Sequence, residues 1–166
     1  MLVPINGSRN DAHAMRQLAN EFAHDPTLEV HLLNVRTPLR TDVSQFLRRD
    51  LRDDFYEDEA RKVLKNACEA LEKHRIPYST HIRIGDKGEA IVEEARRLEC
   101  ARILMSTARK NSLTRMLEDS TTEKVLARTT VPVEIVAGDK VSRLEEIGWP
   151  AGVAVAIAIF VVAAIY

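Results

Sequence analysis

Side chains with the reactivity to do chemistry are few and scattered along this sequence. Histidines stand at His13, His24, His31, His74 and His81, and cysteines at Cys68 and Cys100. The histidines show no metal-ligand spacing, and neither GxSxG, HExxH nor a Walker loop occurs. His31 and His81 fall in stretches that read as strands, where a satisfied structural role suits them. The cysteines form no CxxC or Cys/His cluster and read as reduced thiols; neither has the electropositive neighbours that activate a thiolate. An acidic run, Asp53, Asp54, Glu57, Asp58 and Glu59, is best read as the first turn of a helix complementing its dipole. No catalytic residue and no metal ligand is therefore expected, and what remains is binding.

Stepping from these residues to the elements that hold them, the pattern alternates. Met1–Ile5 is an apolar run ending in the turn signal NGS. From Arg9 onward Ala12, Met15, Leu18, Ala19 and Phe22 recur at helical spacing, with Ser8 or Asn10 as N-cap. The chain continues with a strand over Leu28–Val35, a helix over Tyr56–His74 and a strand over Tyr78–Ile84. A helix over Glu89–Leu98, a strand over Ala101–Ser106, a helix over Ser120–Thr130 and a strand over Val131–Val136 complete the pattern. Strands alternating with helices of this length predict βαβ units: an α/β fold with a doubly wound, five-stranded parallel sheet and helices on both faces. Such sheets bind ligands beyond the carboxyl ends of their strands where strand order reverses, so the loops Asn6–Ser8 and Thr107–Asp119 are the places to look. A net charge of -1 gives no basic field, and no nucleic-acid partner is expected.

Four blocks, LVPINGS, VHLLNV, HIRIGDKGEAIVEEARRLECARILMS and SLTRMLEDSTTEKVLARTTVPVEIV, stand in an order and spacing that resemble the universal stress protein family. The resemblance covers Met1 to about Ala137. It implies a five-stranded parallel sheet and, usually, a homodimer formed through the last strand, here residues 131–136. ATP-binding members look like G-x2-G-x9-G-[ST] after the fourth strand, where glycine lets backbone N–H groups close on phosphate. By this resemblance the three glycine positions are occupied by Ser106, Arg109 and Asp119, followed by Ser120, and the binders' aspartate at the end of the first strand corresponds to Asn6. With Val35 at the end of the second strand these form a vestigial nucleotide site. All three glycines are absent, so no cofactor is expected, with ATP the one to test.

Two further stretches lie outside that pattern. Residues 149–166 (WPAGVAVAIAIFVVAAIY) carry no charge and are long enough to cross most of a bilayer core as a helix, with Trp149 and Tyr166 at the two interfaces. A buried core helix or a disordered tail is the alternative. Lys140 and Arg143 precede the run and nothing basic follows it, which predicts a single-pass protein of the inner or cell membrane with its N-terminal domain cytoplasmic. The expected organisation is a domain at 1–137, a linker at 138–148 and the transmembrane helix. Gly152 and Ala156 keep that helix slim enough to pack against other membrane helices. Between the second strand and second helix, Arg48, Arg49 and Arg52 alternate with apolar residues, suggesting either a lid or an amphipathic helix that contacts a partner.

Two functions fit. One is a non-catalytic accessory or regulatory subunit of an integral membrane complex, a transporter or an energy-converting assembly. The other is a membrane-tethered nucleotide-binding stress sensor.

Overall fold

The computed structural model of the 166-residue chain describes residues 1–38, 49–109 and 120–140. Their elements are β1 (Leu2–Pro4), α1 (Asp11–His24), β2 (Val30–Arg36), α2 (Arg49–Lys73), β3 (Tyr78–Ile84), α3 (Lys87–Arg97), β4 (Ile103–Arg109), α4 (Ser120–Arg128) and β5 (Val133–Lys140). The strands form one parallel sheet in the order β3-β2-β1-β4-β5. This is the expected doubly wound arrangement, with β1 at the centre and the order reversing between β1 and β4.

Alternation along each strand divides the core in two. Val3, Leu32 and Leu104 pack under Leu18 of α1 and Leu64 and Leu71 of α2. Leu2, Leu33, Ile103 and Met105 face the other way, under Ile91 and Ala95 of α3 and Val125 of α4. Because side chains of successive strand residues point to opposite faces, a strand covered on both sides must be apolar throughout, as Leu2–Val3 and Leu32–Leu33 are. Where α3 crosses α4 the backbones approach so closely that a Cβ on Gly88 would lie 2.5 Å from the Cβ of Lys124.

Several boundaries differ from expectation. The second helix begins at Arg49 rather than Tyr56, because residues 49–55 hold no Gly or Pro and their acidic residues favour a helix start. Arg49 and Arg52 therefore belong to α2 rather than to a separate amphipathic segment, and Arg52 Nε lies 3.9 Å from Asp53 Oδ1. Arg48 lies outside the described residues. β4 runs on to Arg109 and β5 to Lys140, each holding the other by parallel pairing that ends with Arg109 opposite Lys140. Consequently β5 takes in the first residues of the stretch expected as a linker from 138. The expected transmembrane helix, with Trp149, Gly152, Ala156 and Tyr166, lies outside the described residues. Among the described residues no helix is long and apolar enough to cross a membrane.

Candidate functional site

At the reversal between β1 and β4 a cleft of about 380 Å3 opens beyond the strand ends. Each neighbouring element contributes to it. Asn6 follows β1; Asn34, Val35 and Arg36 end β2; Ser106 lies on β4; Lys87 starts α3; Thr121 and Thr122 belong to the first turn of α4. A second, more apolar hollow of about 580 Å3 lies between α1 and α2.

The turn between β1 and α1 borders the cleft through Asn6, while its Gly7 and Ser8, with Asp11, line the second hollow. Gly7 takes a φ of +81°, which a side chain would strain, and the turn it makes points backbone N–H groups inward. Those groups are already occupied: Asp11 Oδ2 accepts from the N–H of Gly7 at 2.7 Å and of Asn6 at 3.2 Å. The other oxygen, Oδ1, accepts from Ser106 Oγ at 3.1 Å. Burial pushes the Asp11 carboxyl up from its ordinary value despite these bonds. The turn thus closes around a carboxylate of the chain itself. Asn6 closes the turn locally as well, its Oδ1 accepting from the N–H of Ser8 at 2.8 Å. Neither Ser8 nor Asn10 caps α1 as expected: Asn10 holds the N-cap position without a side-chain capping bond.

Asn34 is buried in the cleft wall; its Nδ2 donates to the carbonyl of Ile5 at 2.8 Å. Its Oδ1 is buried without a hydrogen-bond partner. Beside the cleft, before Lys87, Asp86 caps α3 by accepting from the N–H of Glu89, and Lys124 Nζ lies 2.6 Å from its Oδ2. The Lys124 ammonium, with the capped N–H, holds the Asp86 carboxyl below its ordinary value. That pair fixes the crossing of α3 and α4, and with it Lys87 and Thr121.

Of the sequence-predicted site residues, Asn6, Val35 and Ser106 meet at this cleft. Arg109 does not lie in a loop: it ends β4, so two expected glycine positions, Ser106 and Arg109, are strand residues paired with β5. A register irregularity between Thr107 and Arg109 marks where the ladder loosens. Asp119 lies outside the described residues, and Ser120 is the first residue of α4. Sequence reasoning missed Asn34, Arg36, Lys87 and Thr122. A buried Asn within an otherwise apolar strand was the one available signal for Asn34, and a Lys immediately after a helix N-cap was the signal for Lys87.

Comparison with known proteins places these features. The sequence model of the universal stress protein family matches residues 1–137. The stress response protein NhaX of Bacillus subtilis (strain 168) is 26% identical over 140 residues, spanning 80% of this chain and 81% of that protein. Among solved structures, hypothetical protein MJ0577 is 25% identical with a TM-score of 0.63, covering 83% of this chain and 95% of that one. A universal stress protein from Archaeoglobus fulgidus, solved in complex with dAMP, has a TM-score of 0.56 at 15% identity, covering 81% of this chain and 94% of its own.

Proposed function

This chain belongs to the universal stress protein family, and from that premise we propose that it is a non-catalytic regulatory protein whose cleft takes a mononucleotide. The observation that carries this reading is the cleft itself, open at the strand-order reversal with Arg36, Lys87 and Thr122 around it. Two cationic side chains and hydroxyls on its walls match a phosphate and a ribose, and about 380 Å3 suits a ligand of that size. The dAMP bound by the Archaeoglobus fold relative guides the choice of probe. A triphosphate fits less well. Ser106 and Arg109 are strand residues without glycine's freedom, and the N–H groups of Asn6 and Gly7 in the first turn are already taken by the Asp11 carboxylate.

Residues 149–166 tether this domain to a membrane, and the small residues Gly152 and Ala156 let the tether pack against helices of a larger complex. The edge strand β5 offers its free side to a second copy of the chain. In this reading the protein is an accessory subunit that reports nucleotide state to its host.

The test is a calorimetric titration of the full-length chain in detergent with AMP, cAMP and ATP. Saturable AMP or cAMP binding, with ATP weaker, is expected. Absence of binding at millimolar nucleotide overturns the nucleotide reading and leaves the accessory role alone. Extraction in mild detergent followed by size separation tests that role: co-migration with membrane proteins in fixed ratio is expected, and elution with itself alone refutes it.

A further inference from the structure

Away from the cleft, near the amino ends of β2 and β3, three polar side chains converge. His31 Nδ1 lies 3.2 Å from His81 Nε2, and Ser79 Oγ lies 2.7 Å from the first and 3.1 Å from the second. Strand pairing builds this arrangement: His31 stands opposite Ser79 and Leu33 opposite His81, so all three polar residues share one face of the sheet. Behind them lies Glu94 of α3, only 1% exposed, with Oε1 3.3 Å from His81 Nδ1.

We propose that His31 Nδ1 and His81 Nε2, completed by Ser79 Oγ and water, form a binding site for a divalent transition-metal ion, with zinc as the best-fitting case. The spacing supports it. Zinc–nitrogen bonds of about 2.0–2.1 Å drawn from two nitrogens 3.2 Å apart meet at roughly 100°, near the tetrahedral angle. The buried carboxylate supports it equally. A ligating imidazole is characteristically oriented by a carboxylate on its other nitrogen. Glu94 Oε1 occupies that position at His81 Nδ1, where Arg97 Nη2 also lies at 3.4 Å, and Nε2 is left facing His31. Metal binding needs the lone pair of His31 Nδ1, so the neutral ring in the bound form carries its proton on Nε2.

The surrounding charges favour the ligating form of the rings. Arg97 pairs with Glu94 at 2.5 Å and Arg83 with Glu94 and Glu93 at 3.6 Å. Burial lowers the pKa of both histidines from 6.5. The N-terminal ammonium adds to this at His31 and Arg97 at His81, while Glu94 opposes it at His81. Among the described residues no set of three or more His, Cys, Asp or Glu is arranged to hold a metal ion. With two imidazoles and a hydroxyl, the remaining positions fall to water, and the site is an exchangeable, micromolar one rather than a structural one.

The test uses the full-length chain in detergent, stripped by a chelator and titrated calorimetrically with Zn2+ alone, with Co2+ absorption reporting coordination geometry. One Zn2+ per chain is expected, with strong four-coordinate Co2+ bands. His31→Gln and His81→Gln each weaken binding at least tenfold while leaving thermal unfolding of the metal-free protein unchanged. Glu94→Gln weakens it by about 10- to 100-fold, whereas His74→Gln has no effect. Unchanged binding in the H31Q/H81Q double variant, or no saturable Zn2+ uptake by the unaltered chain, overturns the proposal.

Discussion

Ser106 Oγ donates to Asp11 Oδ1 at 3.1 Å, joining β4 to the start of α1 across 95 positions of sequence. The same carboxylate receives the N–H groups of Asn6 and Gly7, so one side chain closes the first turn and ties it to the central sheet. Removing it orphans three donors at once. Asp11→Ala is expected to lower stability by about 1–3 kcal/mol, measured by urea unfolding, and Ser106→Ala by less, since the two backbone bonds survive. A loss no larger than that of Ser106→Ala shows that the turn holds without the carboxylate.

The cleft's cation gives a separation of binding from stability. Lys87 is the first residue of α3, where a positive charge opposes the helix dipole. Lys87→Ala is expected to weaken AMP binding about tenfold while leaving the melting temperature unchanged or slightly raised. Equal affinity in the variant removes Lys87 from the phosphate-binding role.

Arg75 and Glu99 follow α2 and α3 with φ of 55° and 51°, the left-handed conformation in which L-residues are strained. Each ends its helix with the reach-back bond of a Schellman turn, Ile76 N–H to Leu71 O at 3.0 Å and Cys100 N–H to Ala95 O at 2.9 Å. Glycine takes this conformation without the strain, so Arg75→Gly and Glu99→Gly should each stabilise by about 1 kcal/mol, raising Tm by roughly 2–4 °C. A lowered Tm in both refutes the assignment of strain.

Acid stability depends on Glu94. The hydrogen bond from Arg97, aided by Arg83, holds its carboxyl below the ordinary 4.5. A depressed carboxylate contributes stability that is complete above its unfolded value and lost as pH falls through its folded one. Asp11, pushed up by burial, runs the other way: its ionised form costs stability above the folded pKa, and that cost is relieved on acidification. In Glu94→Gln the acid loss below about pH 4.5 is expected to shrink, as measured by unfolding midpoints across pH. A pH profile identical to that of the unaltered chain refutes the coupling.

The sheet was legible because each strand is short and either apolar or alternating, bounded by turn residues, and Tyr78–Ile84 was read to its ends. Helix starts were harder. Arg49–Phe55 carries both charge and exposed apolar residues, so local pattern could not join it to the apolar stripe that begins with Tyr56. The length of β4 was hidden for a different reason. Ala108 and Arg109 have no strong strand preference, and pairing with β5 is what extends the strand through them. At the cleft, Asn6, Val35 and Ser106 were recoverable from resemblance. Lys87 arrives through a helix crossing permitted by Gly88, and no local pattern reveals a crossing. The same holds for His31 and His81, which lie 50 positions apart and meet only through strand register.

α2 has 25 residues, about 37 Å at 1.5 Å per residue, whereas the seven residues of β2 span only about 23 Å. The surplus stands at the start of α2, beside the strand ends where the cleft opens. Leu51 and Phe55 are 55% and 46% exposed on it. Arg36 Nη2 meets Glu59 Oε2 at 3.6 Å and ties the end of β2 to this helix.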